Sequence, residues 1–302
     1  KYGKGIQESQ LITIDGNVMA VAFMANAQHL YIRTDVLKQH GISTPKTYEE
    51  VVAAAEKIRA AGKMKYPYAA AYKAGWNLAE EFVNMYIGHG GEFFDAGSAK
   101  PSINNAKGVA TLNMLKKLAD LSNPDFLTHD SEAIKVEWEA GNVAIMTLWA
   151  SRSGTLLDDE GDAKITAATK LVAPATVGGG NIPAATLWWD GFTLAKNRPD
   201  ADAEASFRAM AHAASSKEMV AKAADQAVWL VEGFVPGPKS VGVIEAVKMG
   251  AKPYPMLPQM GLMHGALGNE IVEFLQGNES AEQALKDVEA AYNTKAKEQG
   301  FL

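Results

Sequence analysis

The chain has no cysteine, which removes disulfides, thiolate catalysis and cysteine-ligated zinc together. That absence fits an exported bacterial protein. No apolar run approaches the roughly 20 residues that a membrane-spanning helix needs. The net charge of −6 supplies no clustered basic face, so a nucleic-acid partner is not expected. Catalytic signatures are missing as well: no G-x-S-x-G, no H-E-x-x-H, no phosphate-binding loop and no G-x-G-x-x-G. The six histidines are scattered without ligand spacing, and no metal or cofactor is expected. Carboxylates are plentiful but most fall on helix surfaces, and nothing pairs two of them across a glycosidic bond. The triple glycine of TVGGGNIP, residues 176–183, is not followed by lysine and Ser/Thr, so it reads as a connector. Asp158 to Asp162 lacks the alternating order of a calcium loop and reads as a solvated loop. The opening KYGKGIQESQ is polar and is not a secretory leader. No internal repeat of solenoid length is visible.

At 302 residues, length sets a prior of about two domains, and 47% apolar with 21% charged residues is ordinary globular composition. Residues 11–24, LITIDGNVMAVAFM, predict two short strands around Asp15-Gly16-Asn17. Leu30 to Ile32 predicts a strand, and Asp35 to His40 a short helix closed by Gly41. Pro45 to Gly62 predicts a helix with a Thr47/Glu50 capping box, followed by a strand in YPYAAAY. A helix should begin near Trp76 and stop at Gly90-Gly91, with His89 as a cation on its C-terminal dipole. Further helices are expected over Asn104–Leu121, SEAIKVEWEAG, Asp202–Ser215, Ser216–Gln226, Ile244–Met249 and beyond the stretch MLPQMGLMHGALG. Ser280 and Gln283 form a second capping-box pattern, with Ala284, Leu285, Val288 and Tyr292 as an apolar face. NVAIMTLWA predicts a buried strand that delivers Trp149 at its end, beside Ser151 and Arg152. GFVPGPKSV is a connector that cannot be helical.

The chemistry concentrates in TLWWDGFTLAKN, residues 186–197. On a strand, adjacent side chains point to opposite faces, so Trp188 and Trp189 cannot share one core layer. One packs inward; the other faces a cleft or solvent beside Asp190. An indole next to a carboxylate suits a sugar, whose C–H faces stack on the ring and whose hydroxyls donate to the acid. A buried aromatic pair capped by a turn aspartate fits the same residues equally well. Asn26 and Gln28 lie between elements, within reach of a ligand or as plain turn chemistry. Trp76 and Asn77 sit at a helix N-terminus, where free backbone N–H groups suit a polar ligand. Tryptophans and polar groups near strand ends, between two α/β units, describe a binder more than a catalyst.

IDGNVMAVAFMANAQHLYIRTDVLKQHGISTPKTYEEV, GHGGEFFD, EAGNVAIMTLWA, WWDGFTLAKN and GFVPGPKSV together, in this order, resemble the extracellular solute-binding proteins of carbohydrate ABC transporters, family 1, the maltose-binding-protein-like class. The resemblance implies a bilobal α/β periplasmic-binding-protein fold, type II-like, closing on a sugar like a hinge. It implies crossovers near Asn26, Trp188 to Gly191, and Phe234 to Ser240. One lobe would hold 1–25 and 190–239, the other 26–189 and 240–302. Family members carry more residues ahead of the first of these motifs, so lobe 1 reads as N-terminally incomplete and its apolar edges as exposed. Asn26 matches the family's sugar-bonding position at the first crossover, and Trp149 the tryptophan closing the A-I-M-x-x-x-W strand. Where the family contributes an aromatic after P-Q-M, this chain has Met263 and His264. The implied contacts are Asn26, Gln28, Trp76, Asn77, Trp149, Arg152, Trp188, Trp189, Asp190, Gly191, Phe234 and His264. The implied partners are a carbohydrate or polyol and the ABC permease subunits, for a monomer in the periplasm without enzymatic activity. A two-domain glycosidase and a sensor domain of the same fold are the competing readings. Alanine at the core indole should cost roughly 3–5 kcal/mol of stability. Alanine at the cleft indole should instead cost affinity, about 2 kcal/mol at a binding hot spot. Asp190→Asn should weaken binding with little effect on the fold.

Overall fold

A computed structural model describes residues 6–158 and 161–302. In chain order the elements are β1 (Leu11–Ile14), β2 (Asn17–Asn26), β3 (Gln28–Arg33), α1 (Thr34–Gln39), α2 (Tyr48–Ala60), β4 (Tyr68–Ala69), α3 (Trp76–Gly88), α4 (Ala106–Ala119), α5 (Ser131–Glu139), β5 (Ile145–Trp149), α6 (Ser153–Leu156), α7 (Ala163–Ala168) and β6 (Thr169–Val172). Then come β7 (Thr186–Phe192), α8 (Asp200–Ala213), α9 (Lys217–Lys222), β8 (Val228–Trp229), α10 (Val241–Lys248), β9 (Lys252–Pro253), α11 (Met260–Glu270), α12 (Val272–Gln276) and α13 (Ala281–Glu298). Two sheets result. One runs β1-β2-β7-β9, with β8 also paired to β2; the other runs β4-β5-β3-β6.

The first hairpin forms because Asp15 and Gly16 both take positive φ, 50° and 76°. That is the primed turn whose twist matches two antiparallel strands. β2 then continues to Asn26, beyond the expected end, and only Ala27 separates it from β3. One extended segment therefore belongs to both sheets.

The larger core surrounds β3, β5 and the helices α2, α3, α4, α11 and α13. α2 starts where Thr47 accepts from the Glu50 N–H at 3.1 Å. The reciprocal half of the box is displaced by one residue, since Glu50 Oε2 takes the N–H of Lys46 rather than that of Thr47. At α13, Ser280 caps Gln283, but the Gln283 side chain turns forward to Asp287. The YPYAAAY strand shrinks to Tyr68–Ala69; Ala70, Ala71 and Tyr72 are buried without strand pairing and Tyr66 is half-buried. His89, expected as a cation, is instead held toward neutrality because burial lowers its pKa. Asp159 and Glu160 of the expected acidic loop lie outside the described residues, while Asp162 caps α7.

On the other sheet, Ile14, Val18 and Met19 are exposed, and β2, β7 and α8 border an apolar groove of about 260 Å³ lined by Phe192, Leu194, Phe207 and Met210 among others. Exposed apolar surface was expected there.

The stretch MLPQMGLMHGALG, passed over as a lead-in, is itself the helix α11 from Met260. Its three glycines dilute helix propensity and hide the pattern. Gly268 earns its place by contact. A Cβ there would lie 2.2 Å from the carbonyl oxygen of Gly75, and the Gly75 N–H donates to the Gly268 carbonyl at 2.9 Å. Gly75, at φ 95°, is the residue from which α3 starts. Gly268→Ala should therefore force α11 and the start of α3 apart, losing about 1–3 kcal/mol as overpacking does. Urea unfolding of the variant measures this; stability equal to wild type would contradict the close approach.

Candidate functional site

The passage between the sheets is fastened by side chains as well as backbone. Asn26 Oδ1 accepts the N–H groups of Ala27 and Ser151 at 3.1 and 3.2 Å, and its Nδ2 donates to Ser151 Oγ at 3.1 Å. The Ala150 N–H donates to the Ala27 carbonyl at 2.9 Å. Asn26, expected at the ligand, thus spends its amide on the crossover itself and is only 9% exposed.

Register places the tryptophans. Asn26 lies opposite Trp188 in the first sheet, and Gln28 lies opposite Trp149 in the second. Trp76, at the first position of α3, joins them. Its ring centroid is 6.2 Å from Trp149 and 5.7 Å from Trp188, and Trp149 meets Trp188 edge-on at 5.9 Å. Tyr254 packs on Trp188 at 4.4 Å. Trp76 remains 50% exposed, so this cluster keeps an open aromatic face.

Behind the rings lies a buried polar network. The Trp188 indole N–H is directed at Thr186 Oγ1 (2.8 Å) and Glu80 Oε1 (3.1 Å). Gln28 accepts from Asn84 Nδ2 and donates to Glu81 Oε1. Gln28 was expected at the ligand; it is 2% exposed and faces inward, because β3 is buried on both sides. Burial pushes the carboxyls of Glu80 and Glu81 up to about 8.

His264 is also internal. The Trp76 carbonyl can only accept, so Nε2 carries the proton and donates to it at 2.9 Å. Nδ1 then accepts from the Tyr254 hydroxyl at 2.9 Å. Burial lowers the His264 pKa, in keeping with the neutral ring. His264 therefore holds Trp76 and Tyr254 in place. Arg152 pairs with Glu132 and is not an unclaimed cation. Phe234 packs against the small cluster of Ala27, Ala150 and Val228. Asn77 is half-buried on the first turn of α3.

On β7 the indoles do face opposite ways, but neither is core. Trp188 is half-buried in the ring cluster; Trp189 is 36% exposed. The expected core member fails because Trp188 packs among Trp76, Trp149 and Tyr254 without being fully covered, and Trp189 faces solvent. Asp190 shares the Trp188 face by alternation and is exposed, its pKa raised by partial burial. Gly191 is a packing glycine: a Cβ there would come within 2.9 Å of the Trp189 ring and 3.0 Å of the Val21 carbonyl. Sequence reasoning missed Tyr254, Glu80, Glu81 and Asn84, and gave no role to Thr186 and Ser151.

Two sheets joined where β2 runs through Ala27 into β3, in a mixed α/β chain, match the bilobal periplasmic-binding-protein fold. The profile of the family described as bacterial extracellular solute-binding protein matches residues 2–221, and the chain belongs to that family. Maltose-bound MalE3 of T. maritima superposes with a TM-score of 0.82 at 20% identity, over 96% of this chain and 76% of that one. An ABC transporter solute-binding protein from Agrobacterium radiobacter K84, in complex with ribitol, gives 0.81 at 20% identity, over 97% and 75%. A Deinococcus radiodurans protein named "Probable ABC transporter-binding protein" is 33% identical over 196 residues, 61% of this chain; the match spans 44% of that relative's length.

The two indoles of β7 should answer differently to truncation. Trp188→Ala strips a donor from buried Thr186 and Glu80 and should cost about 1–3 kcal/mol, the penalty for unsatisfied buried polar groups. Trp189→Ala should stay within roughly 0.5 kcal/mol, as at other surface sites. Paired urea titrations decide it, and a larger loss at Trp189 would contradict the assignment of faces.

Proposed function

We propose that the protein binds a neutral sugar or polyol against Trp76, Trp149 and Trp188, between the two lobes, and delivers it unchanged to the membrane permease of an ABC transporter. One observation carries this reading: three indoles from three separate elements converge on a single open aromatic face. Such faces stack on the C–H surfaces of carbohydrates. The exposed Asp190 carboxylate, two residues along the same strand face, is placed to accept a ligand hydroxyl. The Arg152 pairing with Glu132 favours neutral over anionic ligands. The similar solved structures that hold maltose and ribitol support the same class.

The lobes are assigned as 1–25 with 190–239, and 26–189 with 240–302. The ligand contacts both and so favours the closed population, with bending at the crossovers. The protein acts without catalysis, as a monomer in the periplasm, and its cleft contacts include Asn77 and Asp190 beside the indoles.

A melting screen with maltose, ribitol, D-mannitol and matched anionic sugars tests the reading. A neutral member should stabilise the fold by roughly 2.7 kcal/mol at a hundredfold excess over Kd. It should be recovered intact and lower the radius of gyration in solution scattering. Stabilisation by anionic compounds alone, or conversion of the sugar, would overturn it.

A further inference from the structure

Glu80 and Glu81 are consecutive on α3, and both are inside the protein, 0% and 4% exposed. Their neighbours can be counted proton by proton. The Thr186 backbone N–H donates to Asn84 Oδ1 at 2.7 Å, which makes that oxygen an acceptor. The same oxygen stands 2.7 Å from the Thr186 hydroxyl, and Glu80 Oε1 stands 2.8 Å from it. The Trp188 N–H is aimed at the hydroxyl oxygen too. A hydroxyl has one proton, yet here it faces two acceptor oxygens. If Glu80 were ionised, one of these buried oxygen–oxygen contacts would have no hydrogen in it. A proton on Glu80 Oε1 completes the set: Glu80 donates to Thr186, Thr186 donates to Asn84, and Trp188 donates to Thr186. Glu80 Oε2 is buried with no hydrogen-bond partner among the described residues. That is tolerable for the carbonyl of a neutral acid and costly for half of a carboxylate.

We infer that Glu80 is a positioning residue kept as the neutral acid, whose O–H fastens Thr186 and with it the Trp188 indole, so that the aromatic wall of the cleft is set by a proton the ligand never meets. The consequence for ligand affinity rests on the sugar-binding reading; the proton itself does not.

Burial outweighs the hydrogen bonds from Thr186, Trp188 and Asn84, which favour the ionised form of Glu80. On α3 the neighbour is Glu81, whose own acid Glu80 pushes further toward neutrality. β7 supplies Thr186 and Trp188, and β3 supplies the uncharged Gln28 through Asn84. Tyr254 has its phenol pushed up by burial and then by Glu80, and His264 of α11, bonded to Tyr254, is held toward neutrality by burial. No lysine or arginine among the described residues acts on Glu80. Burial carries its pKa from the usual 4.5 to about 8. The folded state thus keeps a proton that the unfolded state loses, so this group's contribution to stability is complete below about 4.5 and is lost as pH rises to about 8. Near and above that upper limit the carboxylate forms, the Thr186 hydroxyl turns to it, the Thr186–Asn84 contact loses its hydrogen and the Trp188 N–H shifts toward Glu80 Oε1, so the surroundings of the indole change.

The test uses the ligand-free chain. Infrared spectra at a pH of about 6.5 should show the C=O stretch of protonated carboxylic acids, and Glu80→Gln should remove about half of it, leaving the Glu81 share. Tryptophan emission of the wild type should change with a midpoint near 8. Glu81→Gln should retain that transition, Glu80→Gln should abolish it, and Trp188→Phe should lose it while keeping the full infrared band. If Glu80→Gln does not fold, the wild-type spectrum and Trp188→Phe still decide. An acid band absent at neutral pH, or emission constant between pH of about 6.5 and 9, would overturn the inference. A protein that passes this test yet binds no sugar would refute only the proposed function.

Discussion

Everything at the site depends on Ala27 being the only residue between β2 and β3. Two sheets that share one continuous strand segment cannot place their partners independently. Register opposite Asn26 sets Trp188, and register opposite Gln28 sets Trp149. The backbone and amide bonds of Asn26 and Ala27 to Ala150 and Ser151 then tie the end of β5 to the same point. Ala27 is fully buried, so any larger side chain would have to push the two sheets apart. Trp188 and Trp149 are therefore placed by strand register, and Trp76 by the start of α3, rather than by a flexible loop.

The polar layer behind the rings has a second role. Burying two acids costs free energy, and the structure offsets it with neutral donors rather than with a lysine or arginine. Gln28, Asn84 and Thr186 form a chain in which each member fixes the next. Backbone N–H of Thr186 orients Asn84, Asn84 orients Gln28, and Gln28 reaches Glu81. Such a chain admits few alternative rotamers, so Trp188 has one place to go. His264 does the same for Trp76 from the other side.

Local signals in the chain survived folding wherever neighbours in sequence decide the outcome. Asp15-Gly16 makes its turn because only their own φ angles matter, and Thr47 caps α2 because its partner is three residues away. Alternation also set Trp188 and Trp189 on opposite faces, although it could not tell that neither side of β7 would be core. What stayed hidden depends on distant contacts. Glu80-Glu81 carry no local mark of burial, yet α3 is buried from Leu78 through Gly88. Tyr254 follows a two-residue strand and has no pattern of its own. His264 looked like a ligand position until α11, disguised by its glycines, packed it against Tyr254 and the Trp76 carbonyl. Gln28 looked available because nothing local shows that β3 is buried on both faces.

The claim that the indole face is the binding surface is tested most directly by a crystal structure grown with the neutral sugar or polyol that stabilises the protein most. Ligand density should lie between the two sheets with its C–H face over Trp76, Trp149 or Trp188, and a hydroxyl within hydrogen-bond distance of Asp190. An ordered ligand touching none of the three indoles, for instance in the groove lined by Phe192, Phe207 and Met210, would contradict it.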